Sequence, residues 1–208
     1  MDEYQLPRTP LLQWVFVAFV YQFPRTPLPF YFNLPKNSSA LGFDTICMEV
    51  VYLETSFVSL LVGNPSRDLI IAANQQITRD WWRLRRDQFV CVASSEVVRE
   101  AGDGDPQEAL KRLGILEQLT ILPFSAEADQ MMRALLATRA LPPKAQADAS
   151  HLAIAAAAAV DYLLTWNCRH LANAQILTRL EPEARRMGWK LPKVCTPAEL
   201  MGESSYGT

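Results

Sequence analysis

Val50-Val-Tyr-Leu-Glu-Thr-Ser56 is a short apolar run that ends at once in a carboxylate, and Asp161-Tyr-Leu-Leu-Thr-Trp-Asn167 repeats the pattern with an amide at its end. Runs this short and this apolar read as strands buried on both faces, as in parallel sheets covered by helices. In such sheets ligands bind at the carboxyl edge, where these two runs place Glu54 and Asn167.

The intervening segments alternate in the same sense. Asn64-Pro-Ser66 reads as a helix start, followed by a predicted apolar stripe of Ile70, Ala73, Ile77, Trp81 and Leu84. Phe89-Val-Cys-Val-Ala93 is a second strand, after which Ser94-Ser95 caps a helix carrying Glu96 and Glu100. Glu100 shares a side with Val97 and points inward, whereas Glu96 sits in the first turn, where the helix dipole alone accounts for an acid. Asp105-Pro106 with Glu108 forms a capping box ahead of Leu110, Leu113 and Leu116, all three expected to be buried. Thr120-Ile-Leu122 reads as an edge strand and Ser125 as a helix start. Gln146 to Val160 is a helix with Asp148 at its beginning, another helix runs from Arg169, and Lys193-Val-Cys-Thr-Pro197 is the last strand. This alternation predicts a three-layer α/β/α sandwich around a central, mainly parallel sheet.

The chain has 208 residues, half of them hydrophobic, and a formal charge of -2. A single core is within reach, and with a pI of 5.7 there is no global basic field to attract nucleic acid. Cys47, Cys91, Cys168 and Cys195 have neither zinc-site nor disulfide-framework spacing, which suits a reducing cytoplasm. Phosphate-cradling glycine loops are absent from the sequence as well.

Residues 1–47 differ in kind, holding 6 of the 14 prolines and 10 of the 20 aromatic residues. Their apolar run from Leu11 to Phe23 is shorter than the roughly 20 residues a spanning helix needs, so no membrane association is expected. The segment reads as an atypical extension with Met48 as the native start, residues 48–201 as the folded domain and 202–208 as a tail.

Glu54, Glu100, Asp148 and Asn167 would converge from distant segments on one sheet edge. Grouped carboxylates raise one another's pKa unless a cation neutralises them, and magnesium or manganese is the hard, oxygen-seeking partner for that task. Tyr52-Leu-Glu-Thr-Ser56, Glu100, Asp148 with Ala153-Ile-Ala155, and Leu163-Leu-Thr-Trp-Asn167 resemble the four acidic motifs of the PIN-domain ribonucleases, especially VapC-type toxins; Val194-Cys-Thr-Pro-Ala-Glu-Leu200 resembles their last strand and turn. The resemblance implies a magnesium- or manganese-dependent endoribonuclease acting on RNA, a homodimer, and a cognate antitoxin that blocks the site. It also implies that Glu54, Glu100 and Asp148 bind metal or position the attacking water, that Thr55 or Ser56 orients the first carboxylate, and that Thr165 and Asn167 complete the site.

Two positions depart from the family pattern, which has aspartate where this chain has Glu54 and Asn167. Asparagine keeps an oxygen ligand but removes a charge, so a degenerate PIN domain that binds RNA or a protein without cutting is the alternative. Each residue also has a plainer reading. Asp148 suits a helix cap, Asn167 a turn, His151 a hydrogen-bonded core position, and Trp81, Trp82 and Trp166 apolar stripes. His170 and Lys144 could meet RNA, and Arg79, Arg83, Arg85 and Arg86 read as a solvated face.

Overall fold

In a computed structural model of the chain, residues 48–142 and 144–202 are described; the expected extension 1–47, and all of the expected tail except Gly202, lie outside them. Five strands, β1 (Val50–Leu53), β2 (Val90–Ser94), β3 (Thr120–Leu122), β4 (Tyr162–Leu164) and β5 (Lys193–Cys195), form one parallel sheet in the order β3-β2-β1-β4-β5. Among the described residues there are seven α-helices: α1 (Thr55–Val62), α2 (Leu69–Leu84), α3 (Ser95–Ala101), α4 (Pro106–Leu116), α5 (Ala126–Ala137), α6 (Gln146–Ala157) and α7 (Ala174–Arg186). None is long and apolar enough to cross a membrane.

The sheet grows outward from β1, first through β2 to β3, then across β1 to β4 and β5. Right-handed crossovers in these opposite directions must lie on opposite faces. Accordingly α1 to α4 pack on one another and α5 to α7 on one another, giving the three-layer α/β/α sandwich. The reversal falls between β1 and β4, whose register pairs Leu53 with Leu164. That is the topological switch point, and Glu54 and Thr165 are the first residues beyond it. Val51, Tyr52 and Leu53 are fully buried, as expected for the central strand of a doubly covered sheet. Phe57, Trp81 and Phe89 pack in the core with ring centroids 5.5 and 5.7 Å apart, and the Trp81 indole N–H donates to the Leu200 carbonyl at 3.1 Å.

Several local expectations are corrected. The helix predicted from Asn64-Pro-Ser66 begins at Leu69, because Asp68 takes the Ile70 and Ile71 amides as N-cap. Its buried face is Gln75, Thr78 and Trp81, while Ile70 is 74% and Leu84 52% exposed. Both polar members have structural partners. Gln75 ties the α1–α2 loop through the Asn64 carbonyl and the Ser66 amide, and Thr78 accepts the Trp166 indole N–H at 2.8 Å. Leu110, expected in the core, is 70% exposed, whereas Leu116 is buried. Asp105 caps α4 as predicted, but the Glu108 carboxylate goes to Asn64 and Lys111 rather than closing a capping box. The arginine face is largely engaged. Arg79 donates to the Leu61 and Gly63 carbonyls at the end of α1, Arg83 pairs with Asp80, and Arg86 lies 4.2 Å over the Trp82 ring.

Candidate metal centre

The chain leaves β1 at Glu54, which becomes the N-cap of α1. Its Oε2 accepts the Ser56 amide at 3.0 Å, the Ser56 hydroxyl and the Thr165 hydroxyl at 2.7 Å. Both hydroxyls are themselves oriented by the backbone of the next turn. The Trp166 amide donates to Ser56 Oγ at 2.8 Å and the Asn167 amide to Thr165 Oγ1 at 2.9 Å. Each oxygen thus receives one hydrogen from the backbone and directs its own toward the carboxylate. This double relay holds one Glu54 oxygen and turns the other, Oε1, toward His151, whose Nε2 is 4.0 Å away.

Glu100 reaches the same point from α3. Its Oε2 accepts the Thr55 hydroxyl and lies 3.1 Å from His151 Nε2. Glu96, its rival in the sequence, is instead paired with Arg99 on the helix surface. Of the two hydroxyls expected to orient the first carboxylate, Ser56 holds Glu54 and Thr55 holds Glu100. Ligand atoms of Glu54, Glu100 and His151 all lie within 4.8 Å of one another.

His151 is 1% exposed and is held from behind. The Tyr52 hydroxyl lies 2.8 Å from His151 Nδ1 and 2.6 Å from Ser94 Oγ, which also accepts the Val97 amide. Burial pushes the Glu100 carboxyl up, but the His151 bond and charge, the Thr55 hydroxyl and Arg99 outweigh it, and the carboxyl sits below its ordinary value. Burial pushes His151 down, and the Glu100 bond with the Glu54, Glu100 and Glu96 charges more than reverses it. Burial, with the charges of Glu54 and Glu100, holds the Tyr52 phenol well above its ordinary value despite the Ser94 bond. Burial therefore opposes charge on both groups, while the Glu100–His151 contact favours the charged form of each, with the Tyr52 hydroxyl behind the ring.

Asp148 and Asn167 form a second, adjoining cluster. Asp148 lies in the first turn of α6, three residues after an N-cap, Ala145, that has no side-chain bond, so it is not the cap. Its Oδ1 accepts the Asn167 side-chain N–H at 2.7 Å, and its Oδ2 lies 2.9 Å from His170 Nδ1. Asn167 Oδ1 accepts the His170 amide at 3.1 Å. Thr165 links the two clusters through its contacts with Glu54 and the Asn167 amide. Lys144 is exposed, and Trp166 is committed to Thr78.

Tyr52 and Ser94 were not singled out as site residues from the sequence. The available signal was a tyrosine inside a buried strand, since a buried phenol needs a partner, and it lies on the Glu54 face two residues away.

His151 Nε2 lies 3.1 Å from Glu100 and 4.0 Å from Glu54, so one nitrogen and two carboxylates are close enough together to serve one ion, a donor set that a divalent cation could take.

No family model matches the sequence, and no curated protein does. Among solved structures the chain is similar to VapBC2 from Rickettsia felis bound to a DNA fragment from their promoter, at 17% identity and a TM-score of 0.48, covering 71% of this chain and 98% of that one.

Proposed function

We propose that this chain is a metal-dependent endoribonuclease of the PIN-domain kind, hydrolysing RNA phosphodiester bonds as the toxin of a type II toxin-antitoxin pair. The observation that carries the reading is the meeting of Glu54 and Glu100 at the topological switch point, each with one oxygen held by a neighbouring hydroxyl. Placing a buried carboxylate beside a half-buried one is costly, and a site that fixes them in place has a use for a cation.

In this reading Glu54 and Glu100 hold magnesium or manganese, which when bound activates water and offsets charge developing on the phosphate. Ser56, Thr165 and Thr55 keep the two carboxylates from swinging away as substrate enters. Asp148, held by Asn167 and His170, positions the attacking water. RNA is the substrate, an antitoxin protein and a second copy of the chain are the partners, and the cytoplasm is the setting.

The test is cleavage of a total RNA pool by the full chain with manganese, with EDTA, and with Asp148→Asn. The reading expects cutting that needs metal and falls sharply in the variant. Intact RNA from folded protein would remove it.

A second reading has its own support: Glu100 already has His151 as a partner at 3.1 Å, so this carboxylate is held without an ion. A degenerate PIN-like domain that binds RNA or protein without cutting would have this arrangement.

A further inference from the structure

The nuclease reading uses the carboxylates but gives His151 no task. In the structure this side chain is buried, and its two ring nitrogens have opposite surroundings. Nδ1 faces the Tyr52 hydroxyl at 2.8 Å, which in turn meets Ser94. Nε2 faces the carboxylates, 3.1 Å from Glu100 and 4.0 Å from Glu54. A metal-bound imidazole characteristically has its far nitrogen fixed by a hydrogen bond that sets the tautomer and the ring direction. With Nε2 on a metal, Nδ1 would carry the ring hydrogen and could donate it to the Tyr52 hydroxyl at 2.8 Å, which lies 2.6 Å from Ser94 Oγ, itself the acceptor of the Val97 amide.

We propose that His151 Nε2 is a direct ligand of the metal held by Glu54 and Glu100, so that the centre has one nitrogen and two carboxylate donors and takes manganese, or a later first-row ion, in preference to magnesium. The proposal rests on the metal-dependent reading and specifies its ion. Magnesium favours all-oxygen surroundings and gives up its waters reluctantly, whereas imidazole suits first-row transition ions. With the ion bound, Nε2 would give it the ring lone pair, any proton there passing to solvent, and Nδ1 would carry the ring hydrogen toward the Tyr52 hydroxyl. His170 is turned to Asp148 instead and has no part in this ligand set.

The test uses manganese itself as the spin probe in the full chain. Pulsed electron paramagnetic resonance of the manganese-loaded protein reads nitrogen coupling to the ion directly, without reference to RNA cleavage. Wild type is expected to show imidazole nitrogen modulation that changes isotope when histidine is supplied as the heavy-nitrogen form. The modulation persists in His170→Gln and disappears in His151→Gln. Because His151→Gln could disturb folding, isotope-labelled wild type and His170→Gln suffice on their own, since the chain has only 2 histidines. Bound manganese without histidine nitrogen coupling overturns the proposal while leaving a carboxylate metal site intact. Coupling that vanishes in His170→Gln but not in His151→Gln overturns it too. If no manganese binds to the folded chain, the nuclease reading fails along with it.

Discussion

Thr165→Val is the substitution that most sharply tests how the first carboxylate is held. The side chain is fully buried; its hydroxyl donates to Glu54 at 2.7 Å and accepts the Asn167 amide at 2.9 Å. Valine matches the shape and removes both bonds. A hydrogen bond to a charged acceptor contributes about 1.5–3 kcal/mol, and stranding an amide costs about 1–3 kcal/mol more when water cannot replace the partner. Glu54 keeps both of its Ser56 donors, and Asn167 is only half-buried, so the expected loss is about 2–4 kcal/mol. For a chain of this size that is a fall in Tm of roughly 5–15 °C. Thr165→Ser keeps the hydroxyl and loses one methyl, for about 1 kcal/mol. Thermal and urea unfolding followed by circular dichroism on metal-free protein would rank the three. If Thr165→Val is as stable as Thr165→Ser, the hydroxyl relay is not what holds Glu54.

Other outcomes follow from the same geometry. Tyr52→Phe leaves His151 Nδ1 and Ser94 without their shared partner; it is expected to cost about 1–3 kcal/mol in urea unfolding and to weaken manganese binding roughly 10- to 100-fold by calorimetry. The pH dependence of metal-free stability should show both limbs of the Glu100–His151 pair. His151 is raised above 6.5, so its contribution is full below that value and is lost as pH rises through the folded pKa. Glu100 is lowered from 4.5, so its contribution is full above that value and is lost as pH falls through the folded pKa. Melts across pH should therefore peak between these ordinary values, and Glu100→Gln should flatten both limbs; equal slopes in wild type and variant would contradict the ion pair. Leu110→Ser should change stability by no more than about 0.5 kcal/mol, since the side chain is largely in solvent. A loss of several kcal/mol would instead restore it to the core.

The strands and their order along the chain were legible because each is a short apolar run punctuated by a cap or turn residue, and these signals are local. Strand adjacency is not local. That β4 lies beside β1, putting Thr165 against Glu54, follows from the crossovers rather than from any pattern within either run. Helix α2 shows where periodicity fails. Its apolar residues occupy more than one side, and the side that packs is chosen by Gln75 and Thr78, whose loop and indole partners no spacing rule reveals. Glu54 and Glu100 could be read from strand-end and inward-facing positions. The pairing of Asp148 with Asn167 and His170, and of His151 with Glu100, could not, since each depends on side chains meeting from separate elements.

The central claim is that Glu54 and Glu100 hold a divalent ion at the switch point, and calorimetric titration of manganese into the full chain tests it most directly. The account predicts one saturable binding event in wild type, abolished in Glu54→Gln and in Glu100→Gln while both variants remain folded by circular dichroism. A folded wild type that ignores manganese at millimolar concentration, or variants that bind it unchanged, would contradict the claim and leave the non-cleaving module as the reading of this site.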